Sequence, residues 1–386
     1  MKKPELLSPA GNLEKLKTAI DFGADAVYLG GNKLNLRAFA DNFSNCELEE
    51  GIKYAHDRNR KAYVALNVFP HNEDLEGLEE YLTDLYNIGV DAAIVSDPGI
   101  IMTAKEVVPG LELHLSTQAN NVNYKSAMFW YKQGIKRIVL ARELSMNEII
   151  EMKKKLPADF EIEAFVHGSM CMSYSGRCLL SNYLTGRDAN RGACAQPCRY
   201  KYYLMEEKRP GEYYEVMEDD KGSYIMNSKD LCMIEYIPEL VAAGINSFKI
   251  EGRMKSSFYV AEVTKAYREA IDSYFENPKE YTFRKKWLED LDKVSHRQYY
   301  TGFYFSDPDK QVYENSSYIR NYDIVGIVRS YDEEKKTAVI EQRNKVFEGE
   351  SAEILRPAGG DFEITFQDIR DMEGSKLEAT PVAQML

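Results

Sequence analysis

The 386-residue sequence has no run approaching the roughly 18 consecutive apolar residues of a membrane-spanning helix, so no membrane partner is expected. Its start, MKKPELLSPAGN, carries two lysines but no apolar stretch behind them. No secretory leader is visible, and a cytoplasmic location is expected. No Gly-x-Gly-x-x-Gly follows the first expected strand, which argues against a dinucleotide-binding sheet. Neither Gly-x-Ser-x-Gly nor His-Glu-x-x-His occurs, so two common hydrolase signatures are missing. Positive charge is scarce: the net charge of −13 argues against polyanion binding over the whole surface, though a local basic patch escapes such a sum. Only six cysteines are present, and without an export signal they are not expected to pair as disulfides. What remains, 44% hydrophobic and 29% charged, is ordinary globular material.

One pattern recurs. A helical stretch ends at glycine and a short apolar run follows almost at once, at Gly23, Gly89, Gly134 and Gly244. Glycine accepts the left-handed conformation that caps a helix. An apolar run behind it suits a strand covered on both faces. Eight such strands are expected, at 5–8, 26–30, 62–67, 92–96, 112–117, 137–141, 161–167 and 247–251. Eight βα units over about 250 residues predict an α/β protein with a TIM-type (β/α)8 barrel, whose active site lies at the strand C-terminal ends. Polar residues gather at those ends: Ser8, Asn67, Asp97, Ser116 to Gln118, Arg142, Glu143, His167, Glu251 and Arg253.

The rhythm breaks between strands seven and eight, where an insertion over 168–245 replaces a single helix. Long insertions at a barrel mouth are usually functional. It should hold strands near 200–204, 213–217 and 223–227. The barrel is assigned to 1–280. Residues 281–386 form a linker helix, near 284–294, and a small C-terminal β domain with strands near 323–329, 337–342, 351–355 and 362–366. Residues 381–386 read as a strand cut short, as in a truncated chain.

Cys171, Cys178, Cys194 and Cys198 fall in Gly-rich, polar loop sequence of the insertion, and Cys232 precedes strand eight. Thiolates so grouped are soft ligands for zinc or an iron–sulfur cluster. The gaps, Cys-x6-Cys and Cys-x3-Cys, match neither zinc knuckles nor the usual ferredoxin run, which favours iron–sulfur with zinc as the alternative. Four thiolates would also close a zinc shell and leave no place for catalytic water. Cys46 reads as structural. Cations crowd the same segments: Arg177, Arg187, Arg191, Arg199, Lys201, Lys229, Lys249, Arg253 and Lys255. Tyr174, Tyr183, Tyr200, Tyr202 and Tyr203 interleave with them, a mixture suited to single-stranded bases and phosphates.

The block Glu163-Ala-Phe-Val-His-Gly-Ser-Met-Cys171, followed by Gly176-Arg-Cys178-Leu-Leu-Ser181, resembles the signature of the collagenase-like peptidase family U32 at every position. Pro4 to Gly11, Ser116 to Gln118, Arg191 to Arg199 and Lys249 to Arg253 are similar to the family as well. The resemblance implies a 4Fe–4S cluster on four cysteines. It also implies RNA or quinone hydroxylation in place of proteolysis. The subgroup it looks most like makes 5-hydroxyuridine at the tRNA wobble position in a prephenate-dependent reaction. Alternatives are hydroxylation of a 23S rRNA cytidine, or a metal-dependent peptidase. Carried over, Cys171, Cys178 and Cys194 match ligands, with Cys232 or Cys198 as the fourth. His167, Glu163 and Arg253 become catalytic candidates. Arg177, Arg191, Arg199, Gln118 and Lys249 become contacts to the dicarboxylate and the tRNA phosphates. Glu163 has a second reading, as a barrel-interior carboxylate paired with Lys249 or Arg253. The oligomeric state is not legible.

Overall fold

The computed structural model describes residues 2–36, 41–171, 173–199, 203–204, 211, 214–215, 229–305 and 319–380. Eight parallel strands form the barrel: β1 (Glu5–Pro9), β2 (Ala26–Leu29), β3 (Lys61–Leu66), β4 (Ala92–Val95), β5 (Glu112–Leu115), β6 (Arg137–Val139), β7 (Glu161–Ser169) and β8 (Ser247–Ile250). Each pairs with its successor through β7, and β8 pairs with both β7 and β1, which closes the ring. The expected helix–glycine–strand units are present. Gly23, Gly89, Gly134 and Gly244 sit at φ of +102°, +87°, +84° and +78°, where a side chain would be strained.

Around the ring lie α1 (Leu13–Asp21), α2 (Asn45–His56), α3 (Leu78–Asn87), α4 (Pro98–Val107), α5 (Tyr124–Lys132) and α6 (Met146–Lys155). Ser44 with Glu47 and Ser145 with Glu148 start α2 and α6 as reciprocal capping boxes, which satisfy donors that the first turn leaves unpaired. Cys46 lies in the first turn of α2 and is exposed, so its reading as a structural cysteine is not supported.

The insertion carries α7 (Leu180–Thr185) and a short antiparallel pair, Tyr203–Leu204 with Tyr214–Glu215, inside two of the expected strands. The third, near 223–227, lies outside the described residues, as does the segment 381–386. A further strand, Asp230–Cys232, runs antiparallel to the end of β7 and parallel to Tyr299–Tyr300. Next come α8 (Ile237–Ala242), then, after β8, α9 (Ser257–Glu276) and α10 (Lys285–Leu291).

Beyond these, Gly326–Asp332 pairs with Thr337–Gln342, and Ser351–Ile354 with Phe362–Thr365, both antiparallel, as the alternating pattern predicts. Ion pairs tie this region to the barrel: Glu14 to Arg329 at 3.0 Å and Arg343 at 2.9 Å, Lys265 to Asp361 at 2.6 Å, and Lys293 to Glu353 at 2.8 Å.

Glu262 of α9 is buried in that junction. Burial pushes its carboxyl up to about 8 against the pull of Lys293, with Asp290 and Asp361 adding to the rise and Lys265 opposing it. Between its unfolded and folded values the native state holds the proton more tightly. Stability from this group is therefore full below about pH 4.5 and lost as pH rises through about 8. Glu262→Gln should match the wild-type melting temperature at pH 4 and exceed it at pH 9, read by circular dichroism at both.

Candidate active site at the barrel mouth

Two tiers of polar side chains fill the barrel axis. In the lower tier Glu163 of β7 is fully buried, with Lys249 Nζ at 2.7 Å and Arg137 Nη1 at 3.1 Å. Arg137 also reaches Glu5 at 2.5 Å and Glu161 at 2.6 Å. Burial alone would raise the Glu163 carboxyl. Lys249, Arg137 and His114 outweigh it and hold the group down at about 2. A carboxylate so held is a poor proton donor or acceptor near neutrality. The acid/base assignment of Glu163 is therefore corrected to its second reading, an interior carboxylate paired with Lys249, and with Arg137 where Arg253 was weighed.

The upper tier is a cavity open at the strand C-terminal ends. Tyr28, Phe165 and Ile94 make its apolar wall. Asn67, Ser116, Gln118, Arg142, Lys249 and Arg253 bring polar groups, and Glu251 is its one acid among the described residues. Three inward polar atoms have no hydrogen-bond partner among the described residues: Asn67 Oδ1, Gln118 Oε1 and Arg142 Nε. Buried polar atoms rarely stay unpaired, so each is an argument for a polar ligand. The Arg142 guanidinium lies 4.5 Å from the Phe165 ring centroid and donates to Ser169 O at 3.1 Å. Arg253 donates to Asn42 Oδ1 at 2.8 Å, and Gly30 allows it to lie there, since a Cβ at that position would collide with its guanidinium. Cations and aromatic rings thus share one opening, a lining suited to an anionic ligand.

The insertion caps this mouth. Arg177 Nε donates to Gln118 O at 2.9 Å, and its guanidinium sits 4.9 Å from the Phe69 ring centroid. Ser175 N and Oγ donate to the Glu143 carboxylate at 2.5 and 2.6 Å. Phe69 N donates to Asn190 O at 3.1 Å. Arg191, expected to hold substrate, pairs with Glu73 at 2.9 Å and Asp74 at 2.7 Å; it fastens the insertion and is withdrawn as a substrate contact. The side chain of Arg199 lies outside the described residues.

His167 is also corrected. It does not line the cavity but is buried against Tyr267, Tyr299 and Tyr259, with ring centroids at 5.5, 5.4 and 6.0 Å. Both ring nitrogens lack partners among the described residues. Burial, with His296 and Lys255 adding to it, drives its pKa down to about 3, so it is neutral.

Cys171, Cys178, Cys194 and Cys198 are half-buried in the insertion. Asn190 receives Cys178 N at 3.1 Å and donates to Cys178 O at 3.0 Å, while Ala195 N donates to Ser181 Oγ at 2.9 Å. The Cys178 and Cys194 loops are therefore sewn together. Cys232 is buried opposite His167, and burial pushes its thiol up to about 12. Among the described residues no three His, Cys, Asp or Glu side chains are close enough to hold a metal ion. The donor set itself, several free thiols in the insertion, is of the soft kind that zinc or an iron–sulfur cluster takes.

Arg142, Tyr28 and Phe165 carried no role in the sequence reading. Arg142 had been visible as a strand-end cation, but an aromatic residue inside an apolar strand gives no sign of facing a cavity.

The model for peptidase family U32 matches residues 11–314, and that for the family's C-terminal domain matches 320–386. tRNA hydroxylation protein P1 of Bacillus subtilis (strain 168) is 46% identical over 380 residues, 98% of this chain and 89% of that protein. tRNA hydroxylation protein P of Escherichia coli (strain K12) is 39% identical over 426 residues, 99% of this chain and 92% of that protein. A Methanocaldococcus jannaschii protein named as an uncharacterized protease is 48% identical over 346 residues, 87% of this chain and 82% of that protein.

Proposed function

The chain belongs to peptidase family U32, and from that premise we propose that it is an RNA hydroxylase that converts the wobble uridine of tRNA to 5-hydroxyuridine, with prephenate as the small dicarboxylate it requires. The relatives named for tRNA hydroxylation support the RNA class. The observation that carries the reading is the upper cavity, where Arg142 lies over Phe165 and Lys249 over Tyr28, with Arg253 in the same lining. Prephenate is an unsaturated ring with two carboxylates, so both halves of that lining have something to meet. Arg142 and Arg253 bind and orient the carboxylates. Phe165 and Tyr28 shield the ring from water. Asn67 and Gln118 offer acceptors to its hydroxyl or to the uracil edge.

Cys171, Cys178 and Cys194, with Cys232 or Cys198, would hold the cluster. When bound, it supplies one-electron transfer beside the mouth. A peptidase reading lacks its catalyst. Among the described residues no histidine lines the cavity, His114 lies below it bound to Glu112 at 2.8 Å, and His167 is walled off by tyrosines.

The test is nucleoside mass spectrometry of unmodified tRNA incubated with anaerobically prepared protein, with and without prephenate. Arg142→Ala should raise KM for prephenate by roughly 10- to 100-fold, the range set by losing a charge-assisted hydrogen bond. Arg142→Lys should not restore it, because a planar stacked fork is replaced by a point charge. Hydroxylation that proceeds equally without prephenate would refute the cofactor role of the cavity. Absence of 5-hydroxyuridine would refute the reading itself.

A further inference from the structure

We infer that the outer face of α7, formed by Leu179, Tyr183 and Leu184, is a stacking platform for one unpaired base of the tRNA loop whose neighbour enters the mouth. The inference rests on the tRNA reading above and specifies where that RNA lies.

Three observations carry it. Tyr183 is 86% exposed, Leu179 76% and Leu184 44%. Single apolar side chains in water are unremarkable, but Leu179 at the cap and Tyr183 one helical turn on, with Leu184 next to it, make a patch that should be covered in use.

The patch is also held firmly. Ser181, facing away from Leu179 and Tyr183, is fully buried and accepts from Ala195 N at 2.9 Å. Thr185 Oγ1 donates to Ser181 O at 2.6 Å, and Gly186 closes the helix with a left-handed cap at φ +71°. A platform fixed in advance has little ordering entropy left to lose when a base settles on it.

The third observation is charge. Residues 171–199 hold four arginines against one acid, Asp188; with Arg191 met by Glu73 and Asp74, Arg177, Arg187 and Arg199 remain against it in a chain of −13. The same segment is moored to the rim: Arg177 Nε holds Gln118 O, and Asn120 donates to Tyr174 O at 3.3 Å. The patch is thus carried by an arginine-bearing segment that is moored at the cavity rim. That is where phosphates of a bound strand would run.

Size argues for a base over a protein. A stable protein interface buries roughly 800 Å² per partner. Three side chains on less than two helical turns match the area of one nucleobase, and a tyrosine ring stacks on any base without reading its sequence.

The experiment uses the full chain and a synthetic tRNA anticodon stem–loop with 2-aminopurine in the loop, together with a duplex RNA of equal length. Wild-type protein should bind the stem–loop and quench the fluorophore. Tyr183→Ala should weaken stem–loop binding by roughly 5- to 150-fold, leave duplex binding unchanged and lose the quenching. Tyr183→Phe should keep all three. The exposed position predicts an unchanged melting temperature in both variants. If Tyr183→Ala binds the stem–loop as wild type does, the platform is refuted while the tRNA reading stands. If wild type binds neither RNA, both are refuted. If Tyr183→Ala instead converts a wild-type dimer to a monomer in gel filtration, the patch joins two copies of the chain and the inference is overturned.

Discussion

Cys171→Ala, Cys178→Ala and Cys194→Ala should each strip iron from anaerobically purified protein and lower tRNA hydroxylation by at least about 100-fold, more than typical losses on mutating a group that only supports a ligand. The wild type should carry about four irons per chain with broad visible absorption. Cys46→Ala should change neither, because Cys46 is exposed on α2, outside the insertion that carries the clustered thiols. The fourth position separates two chemically similar thiols by their supports. Cys232 sits on a strand hydrogen-bonded to the end of β7, and the chain leaving β7 leads directly to Cys171. Cys198 lies on a single 3-10 turn. Ligands on fixed elements lose less entropy on binding, so Cys232→Ala should lose the iron and Cys198→Ala should retain most of it. Iron analysis and absorption spectra decide both. Retention of four irons in Cys171→Ala would remove the cluster from this site. Because the thiols must give up protons to bind, iron uptake by apoprotein should also quicken as pH rises.

The barrel was legible because its determinants are local. The glycines at 23, 89, 134 and 244 mark helix ends by backbone conformation alone, and each is followed by residues apolar enough for a doubly covered strand. The insertion was legible as a break in that rhythm. What escaped was whatever depends on rotation about the barrel axis. Glu163 and His167 are four residues apart on one strand, and simple alternation would send both inward. The pairing of β7 with β8 shifts register between Lys249 and Ile250, and Gly168 turns left-handed just beyond. His167 therefore faces the tyrosines of α9, while Glu163 faces the axis. A bulge of this kind leaves no mark on hydrophobic pattern. Arg191 misled for a related reason. An arginine beside cysteines reads as an anion receptor, yet its partners Glu73 and Asp74 lie more than a hundred residues earlier.

That buried charge tier makes the other large prediction. Lys249→Met should destabilise the protein by about 3–5 kcal/mol, because it strands the Glu163 carboxylate inside the barrel with one partner gone. For a chain of 386 residues, with an unfolding entropy of roughly 0.8 kcal/mol/K, that corresponds to a melting temperature lower by roughly 4–6 °C. Glu163→Gln alone should cost a comparable amount, since it leaves the Lys249 ammonium, itself 4% exposed, without its carboxylate. The double variant should recover much of either loss. Arg137 keeps Glu5 and Glu161, and both halves of the broken pair are then neutral. Strict additivity in that cycle would mean that Lys249 and Glu163 are not energetically paired. Acid adds an independent readout. Unfolded, Glu163 takes up a proton near its ordinary 4.5; folded, it does so only near 2. Its contribution is therefore fully present above about pH 4.5 and lost as pH falls from there towards 2. Wild type should lose melting temperature across that window more steeply than Glu163→Gln. The two curves should draw together at the acid end, where the folded protein finally protonates the group that Lys249 and Arg137 hold ionised.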